Sequence, residues 1–538
     1  MSIFNADDFP ADVVQALYYA ARSAYSFPVV LDPSSSLATI NSNTAILSAA
    51  LAQPGRRSIM KPGVYQINAQ IPRVSNTGLF LGEGVEIKVA DGSNCGAFTN
   101  AAATDPGILL GAGEVVWTYD GSGTHKYYGV VINHTGIGLR YPLGSLICIA
   151  GTTSHDYAGI WPVVESSPNS ITYQIRAYTP DNGSGAPQGL GTTMKAYPVD
   201  VNMYIAGPGR INGNGVNQPG YGSDSGQPAN ALVFTRNAYN TSIIGVQVAP
   251  GSTWTLASNN VKSLKVQGIF ADTNVAGSTD TVHLSGMHDG VLVEDVHGSC
   301  SDNMVGMTID ITPGTSYDFA NQDPGDMRGV IVRRIRNLGS ANANNPSATV
   351  GIYGPAAFRY NDITIEDIDS GSYGAVVSVA NYSLTNMNNT NGGVLNVRRI
   401  RGAAPGAALE LVGVANFDRV IVDDVLLPNG AATTINIAAT GTVGELSISG
   451  LNARGNSRSA PAVNIGAMNV TSLAVRDCQG FVVSGGIGFV THSGAGNIGK
   501  ASFLNCSGSG TGSLWSHTGS GTVPTVVYLA STFGGAAL

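Results

Sequence analysis

Ten segments between residues 243 and 506 repeat one arrangement of apolar and polar positions. They are Ile243-Ile-Gly-Val-Gln-Val, Leu264-Lys-Val-Gln-Gly-Ile, Val291-Leu-Val-Glu-Asp-Val, Val330-Ile-Val-Arg-Arg-Ile, Ile363-Thr-Ile-Glu-Asp-Ile, Val394-Leu-Asn-Val-Arg-Arg-Ile, Val420-Ile-Val-Asp-Asp-Val, Leu446-Ser-Ile-Ser-Gly-Leu, Leu473-Ala-Val-Arg-Asp-Cys and Ala501-Ser-Phe-Leu-Asn-Cys. Apolar residues recur two and then three positions apart, with a charged pair before the last in the fullest copies. Period two is the signature of a strand buried on one face, and the change of step marks a bend at its end. The starts at 420, 446, 473 and 501 differ by 26, 27 and 28 residues, which predicts a solenoid whose coils bury their apolar face only against one another. The charged pairs are expected in solvent at the bend.

The pattern divides the chain. Residues 1–38 do not follow it; Asp7 to Arg22 predicts a short helix with an acidic start, a Pro in its first turn and Val, Leu and Tyr on one side, suited to cap the solenoid or attach it to a larger particle. Residues 39–121 read as first coils and 197–506 as the main solenoid. Between them, in 122–196, Gly144-Ser-Leu-Ile-Cys-Ile-Ala-Gly, Tyr157-Ala-Gly-Ile-Trp-Pro-Val-Val and Ile171-Thr-Tyr-Gln-Ile predict an antiparallel meander, a small inserted β domain. Residues 507–538 are rich in Gly, Ser and Thr and end in an apolar strand whose open edge subunit association would cover.

Composition agrees with many short strands. Seventy residues are Gly and only 12% are charged, a pattern of tight turns rather than helices. A net charge of −8 with no basic run argues against a nucleic-acid partner. The five cysteines are odd in number, scattered and never in a C-x-x-C arrangement, so they read as small apolar residues rather than a disulfide framework or a zinc site. No 18-residue apolar run and no secretory leader pattern occurs, so neither membrane insertion nor standard export is expected.

Candidate chemistry gathers between Trp254 and Met307. Asp280 and Asp302 lie 22 residues apart, about one solenoid turn, which would set them on neighbouring coils one strand spacing (~4.8 Å) apart. Paired acids beside a saccharide groove are what glycosidic cleavage requires; the plainer reading is two turn-capping carboxylates. His283 alternates with Val282 and Leu284 and should face the groove, in contact with substrate or tuning Asp280. Asn303 can hold a water or a sugar hydroxyl. Trp254, Tyr317, Tyr353 and Tyr360 are the aromatic candidates for sugar faces, with Trp254 leaning toward core. Arg328 and Arg359 are the nearby cations. His283, His288 and His297 have spacings that match no metal motif, so no metal or other cofactor is expected.

These residues carry a resemblance. Trp254-Thr, Ser278-Thr-Asp280 and Ser301-Asp302-Asn303 follow the order of the polygalacturonase-like glycoside hydrolases and of their relatives among bacteriophage tailspikes. Gly207-Pro-Gly-Arg-Ile-Asn-Gly-Asn-Gly215 resembles the upstream signature, and Asn43 to Leu51 with Met60-Lys-Pro-Gly-Val-Tyr resembles the helix-and-strand entry of pectate-lyase-like phage proteins. The resemblance implies an all-β, right-handed parallel β-helix and a homotrimer attached to a phage tail or baseplate through the N-terminus. It also implies a virion depolymerase that hydrolyses a bacterial capsule, exopolysaccharide or O-antigen by inversion, with Asp302 as acid and Asp280 as base.

The chain departs from the family at Asn303, where the family has Asp, at Pro324-Gly-Asp326-Met, where it has a Gly-His-Gly turn, and at Gly351-Ile-Tyr353, where pectin-degrading members carry cations. Uncharged residues there cannot make charge-assisted bonds to a uronate. The rival expectations are a polysaccharide lyase on the same fold and a non-catalytic tail fibre or adhesin.

Overall fold

The computed structural model describes residues 27–111, 113–120, 127–151, 158–176, 194–218, 231–249, 254–273, 279–309, 323–339, 348–354, 358–371, 374–380, 389–402, 406–426, 433–453, 460–482, 488–510, 513–523, 525–533 and 536–537. The helix expected over Asp7–Arg22 and Tyr317 lie outside them.

The repeats form a parallel β-helix. Each coil contributes to three ladders of parallel strands. The longest ladder stacks Thr77–Leu81, Asp200–Ala206 and then the successive repeats as far as Ala501–Leu504 and Val526–Leu529. A second ladder follows the bend, starting from Gly63–Ile67 and Val85–Val89. A third forms the flank, from Ile71–Arg73 and Phe98–Asn100 through Val305–Thr308, Val350–Tyr353 and Val377–Val379 to Ser513–His517.

Register makes the core. Ile243, Val266, Val293, Val332, Ile365, Val397, Val422, Ile448, Val475 and Phe503 pair in one unbroken row, all but Ile243 at 1% exposure or less. Burying each such side chain contributes about 1.5–3 kcal/mol, and a single coil has no partner of its own for it.

The bend has a backbone requirement that explains the step in the pattern. Its residue adopts positive φ in coil after coil: Gly268 (65°), Asp295 (54°), Arg334 (54°), Asp367 (56°), Arg399 (53°), Asp424 (48°), Gly450 (61°) and Asp477 (51°). Asp295, Arg334, Asp367 and Arg399 are held there by charge alternation between coils. Arg334 donates to Asp295 at 2.6 Å and Glu294 at 2.6 Å, and Arg399 donates to Asp367 at 2.6 Å and Glu366 at 2.8 Å. The expectation of solvent-facing pairs is thus corrected for the acids: Glu294 and Glu366 are 2% and 6% exposed, roofed by guanidinium groups of the next coil.

At the N-terminal end the helix Leu37–Leu51 closes the core. Ser36 Oγ accepts the Thr39 N–H, a standard N-cap, and Leu47 and Leu51 pack on Ile59, Ile67 and Ile71. At the other end, described strands of 507–538 continue the solenoid for another coil, Ser507–Gly510 on Gln479–Val482 and Val526–Leu529 on Ala501–Leu504.

The inserted β domain is a seven-stranded antiparallel sheet running from Ile108 to Pro198. Its strands begin before the expected residue 122 because Val115–Asp120 pairs with Tyr127–Asn133. It has its own core, including Val130, Ile132, Ile147, Ile149 and Tyr173. A second apolar contact joins Cys148, Ile160 and Tyr197 of the insert to Met287 of the solenoid. Beside it, the Arg236 guanidinium is fully buried, 2.7 Å from Asp323 and 4.7 Å from the Tyr197 ring centre.

Candidate active site

The flank ladder presents alternate residues outward. In Val282–Cys300, Val282 and Leu284 enter the core and His283 leaves it, as the alternation predicts. Asp280 lies just before that strand, and Asp302 and Asn303 just before its neighbour Val305–Thr308. The register is Val282 with Val305, an offset of 23 residues rather than 22. Asn303, not Asp302, therefore lies over Asp280, and Asp302 falls one residue earlier.

This register shapes the site. Asp280 Oδ1 accepts the backbone N–H of Asn303 at 2.9 Å and its Nδ2 at 3.1 Å, while the same Nδ2 lies 3.2 Å from Asp302 Oδ1. One side-chain amide thus spans both acids. Asp280 Oδ2 meets His283 Nδ1 at 2.6 Å, and His283 Nε2 meets Thr308 Oγ at 2.9 Å. The Trp254 indole covers the imidazole, with ring centres 3.3 Å apart and planes 6° from parallel. Tyr353 Oη donates to Asn303 Oδ1 at 3.4 Å.

Burial corrects several expectations. Asp280 and His283 are each 3% exposed, Asn303 4% and Tyr353 8%; only Asp302 is half-buried. His283 faces away from the core as expected, yet Trp254 closes it off from a groove. Trp254 is not part of the solenoid core; it packs outside the flank with Ala231 and Ala257. Tyr353 serves the site through its hydroxyl to Asn303 rather than by offering a ring face to sugar.

Gly306 makes the cluster possible. It pairs with His283 in register, and a Cβ there would stand 2.3 Å from Asp280 Oδ2.

The other expected residues form a second group beyond the turn at Gly286. Asp326 is 6% exposed, with Oδ1 accepting the Arg359 backbone N–H at 2.9 Å and Oδ2 lying 3.3 Å from the Arg328 guanidinium. Arg359 pairs at the surface with Asp418 at 2.9 Å. His288 points inward, fully buried, with Nε2 2.8 Å from Ser258 Oγ; burial lowers its pKa to about 4. His297 stands exposed on the bend ladder.

Thr308 escaped the sequence reading. It lies 25 residues after His283, two beyond the true coil offset, and so on the same outward face. Counting by 23 from His283 gives Gly306, and alternation along the strand then gives Thr308. Trp161, Lys262 and Asp289, which border Arg328 and Asp326 in a cleft, were missed because the insert approaches them only in three dimensions.

No protein-family model matches the chain, and no curated protein matches it. Structural neighbours are phage tailspikes and polygalacturonases. The tailspike gp61 of Pseudomonas phage phi297 is 10% identical with a TM-score of 0.48, covering 91% of this chain and 76% of its own. The family 28 exopolygalacturonase of Yersinia enterocolitica is 11% identical with a TM-score of 0.39, covering 90% and 75%. PfbA, a surface adhesin of Streptococcus pneumoniae, is 10% identical with a TM-score of 0.35, covering 94% and 93%.

Proposed function

We propose that the protein is a bacteriophage tailspike depolymerase that hydrolyses a bacterial surface polysaccharide, with Asp302 as proton donor and Asp280 as the acid's partner in activating water. The observation that carries this reading is the Asp280–Asn303–Asp302 bridge on the outer flank of the solenoid, where two carboxylates share one amide nitrogen. Asp302 retains exposure for a leaving-group oxygen, and Asp280 is held in place by three hydrogen bonds.

Inversion requires a water between the acids, and inverting pairs stand about 6.5–9.5 Å apart. Oxygens that lie 3.1 and 3.2 Å from one nitrogen are closer than that. The reading therefore requires Asp280 and Asp302 to separate as substrate and water enter. The reading includes a homotrimer held on the virion tail by its N-terminus, and it calls on no cofactor.

A second reading, a non-catalytic polysaccharide-binding fibre, is favoured by the closure of Asp280, whose oxygens are both bonded beneath Trp254. Product chemistry separates the readings on purified capsules, exopolysaccharides and O-antigens. New reducing ends without ultraviolet absorbance support hydrolysis. Absorbance from a new double bond would replace it with a lyase, and binding without either product with the fibre.

A further inference from the structure

The inserted domain and the solenoid corner flank an open cleft, bordered by Trp161 on one side and by Lys262, Asp289, Asp326 and Arg328 on the other. The solenoid wall is a register row. Lys262 pairs with Asp289, Asp289 with Arg328, and Arg328 with Asn361, each one strand spacing of about 4.8 Å from the next. Their neighbours Val261, His288 and Met327 turn into the interior, so the row faces out.

The cleft is charged but neutral in sum. Lys262 Nζ lies 3.1 Å from Asp289 and Arg328 3.3 Å from Asp326. Such alternating donors and acceptors match vicinal hydroxyls, which offer both, better than a carboxylate or sulfate, which only accepts and would meet Asp289.

Trp161 is a braced platform. Its ring stacks on the buried Tyr173, centroids 6.4 Å apart and planes 17° from parallel, and Lys262 Nζ lies 5.6 Å from its centre. Gly159 leaves it room, since a Cβ there would come within 2.4 Å of the indole. A rigid indole beside neutralised polar groups is the combination that takes the apolar face of a pyranose together with its hydroxyl edge.

We propose that this cleft is a glycan subsite for an uncharged hexopyranosyl residue, with Trp161 as the stacking face and Lys262, Asp289 and Arg328 as hydroxyl partners. The proposal rests on the polysaccharide reading above and extends it. Asp289 follows His283 by six residues on one strand, roughly 20 Å of chain at most, so the subsite and the acids would engage different residues of one polymer.

The test uses the full chain carrying Asp302→Asn, so that binding is read without cleavage. Saturation-transfer NMR is recorded with the methyl pyranosides of glucose, galactose and mannose, and with those of glucuronic acid and N-acetylneuraminic acid. At least one neutral glycoside should be saturated on one ring face. Trp161→Ala should reduce that signal about 5-fold or more and Trp161→Phe should keep most of it, with the melting temperature held. Lys262→Ala supplies an independent variant should Trp161→Ala not fold. The subsite is overturned if no neutral glycoside depends on Trp161 or Lys262, or if the acidic glycosides bind more strongly there. Failure of the hydrolase reading looks different: the unmutated protein cleaves no polysaccharide while the Trp161-dependent signal persists.

Discussion

Asp280 and His283 form a buried pair, Oδ2 to Nδ1 at 2.6 Å, closed from above by the Trp254 indole. A carboxylate on Nδ1 sets the imidazole tautomer and turns Nε2 toward Thr308. The pair therefore anchors the start of its strand as well as the candidate site, and substitutions there are expected to register in both stability and turnover.

Replacing the proton donor tests the chemistry most directly. Asp302→Asn keeps shape and hydrogen bonding, and should lower turnover about 10²- to 10⁴-fold with polysaccharide binding largely kept. Asp280→Asn should lower turnover similarly and also lower stability by about 1–3 kcal/mol, because an amide has one acceptor oxygen where the carboxylate uses two, so the bond to either His283 or Asn303 is lost. The double variant should be little worse than either in rate. Full activity of Asp302→Asn would move attention to Glu410, on the outward row that runs from His283 through Gly306, Gly351 and Ser378.

Gly306→Ala should separate site from fold. Its methyl would press on Asp280 Oδ2 and, at 3.1 Å, on His283 Nδ1. We expect retained β-type circular dichroism, a cost of about 1–3 kcal/mol and loss of most activity. Unchanged kinetics would mean that the Asp280–His283 arrangement plays no part in turnover.

Acid should loosen the bend. The Arg399 guanidinium holds the Asp367 carboxyl below its ordinary range, against partial burial, which raises it. A depressed carboxylate stabilises the fold fully above its unfolded pKa of about 3.9, and that contribution disappears as pH falls through the lower folded value. The melting temperature of Asp367→Asn should accordingly drop less than that of the unmutated protein between pH 6 and pH 3. Parallel pH profiles would show the pair to be neutral for stability.

The insert is tied down by a buried charge. Asp323→Ala leaves the fully buried Arg236 without its carboxylate, a change worth about 3–5 kcal/mol, and Arg236→Met in the same chain should restore part of it. Hydrogen exchange at 195–198 should rise in the single variant, since Tyr197 packs over the same guanidinium. Unchanged exchange there would separate the insert from the network.

The proposed homotrimer would cover the last coil, where Val527 and Leu529 are 37% and 54% exposed. Light scattering at micromolar concentration should give the mass of three chains, and a monomer mass would remove the trimer.

Much of the architecture was legible in the order of residues. The step from two to three in Val291-Leu-Val-Glu-Asp-Val is local chemistry, alternation along a strand and a backbone turn at Asp295, and it survives in any coil that repeats it. Repetition at 26 to 28 residues then implied stacking, because no copy could bury its apolar face alone. What the chain could not reveal by itself was the register between coils at the flank. A spacing of 22 paired Asp280 with Asp302, but the ladder runs at 23 and set Asn303 over Asp280 instead. Coil length is decided by loops and by packing against neighbours, and a shift of one residue changes which side chains meet. Likewise, whether His283 and Tyr353 face solvent depends on what covers them. Trp254 lies 29 residues before His283, and Trp161 reaches the Lys262 row only because Cys148, Ile160 and Tyr197 fold the insert against Met287.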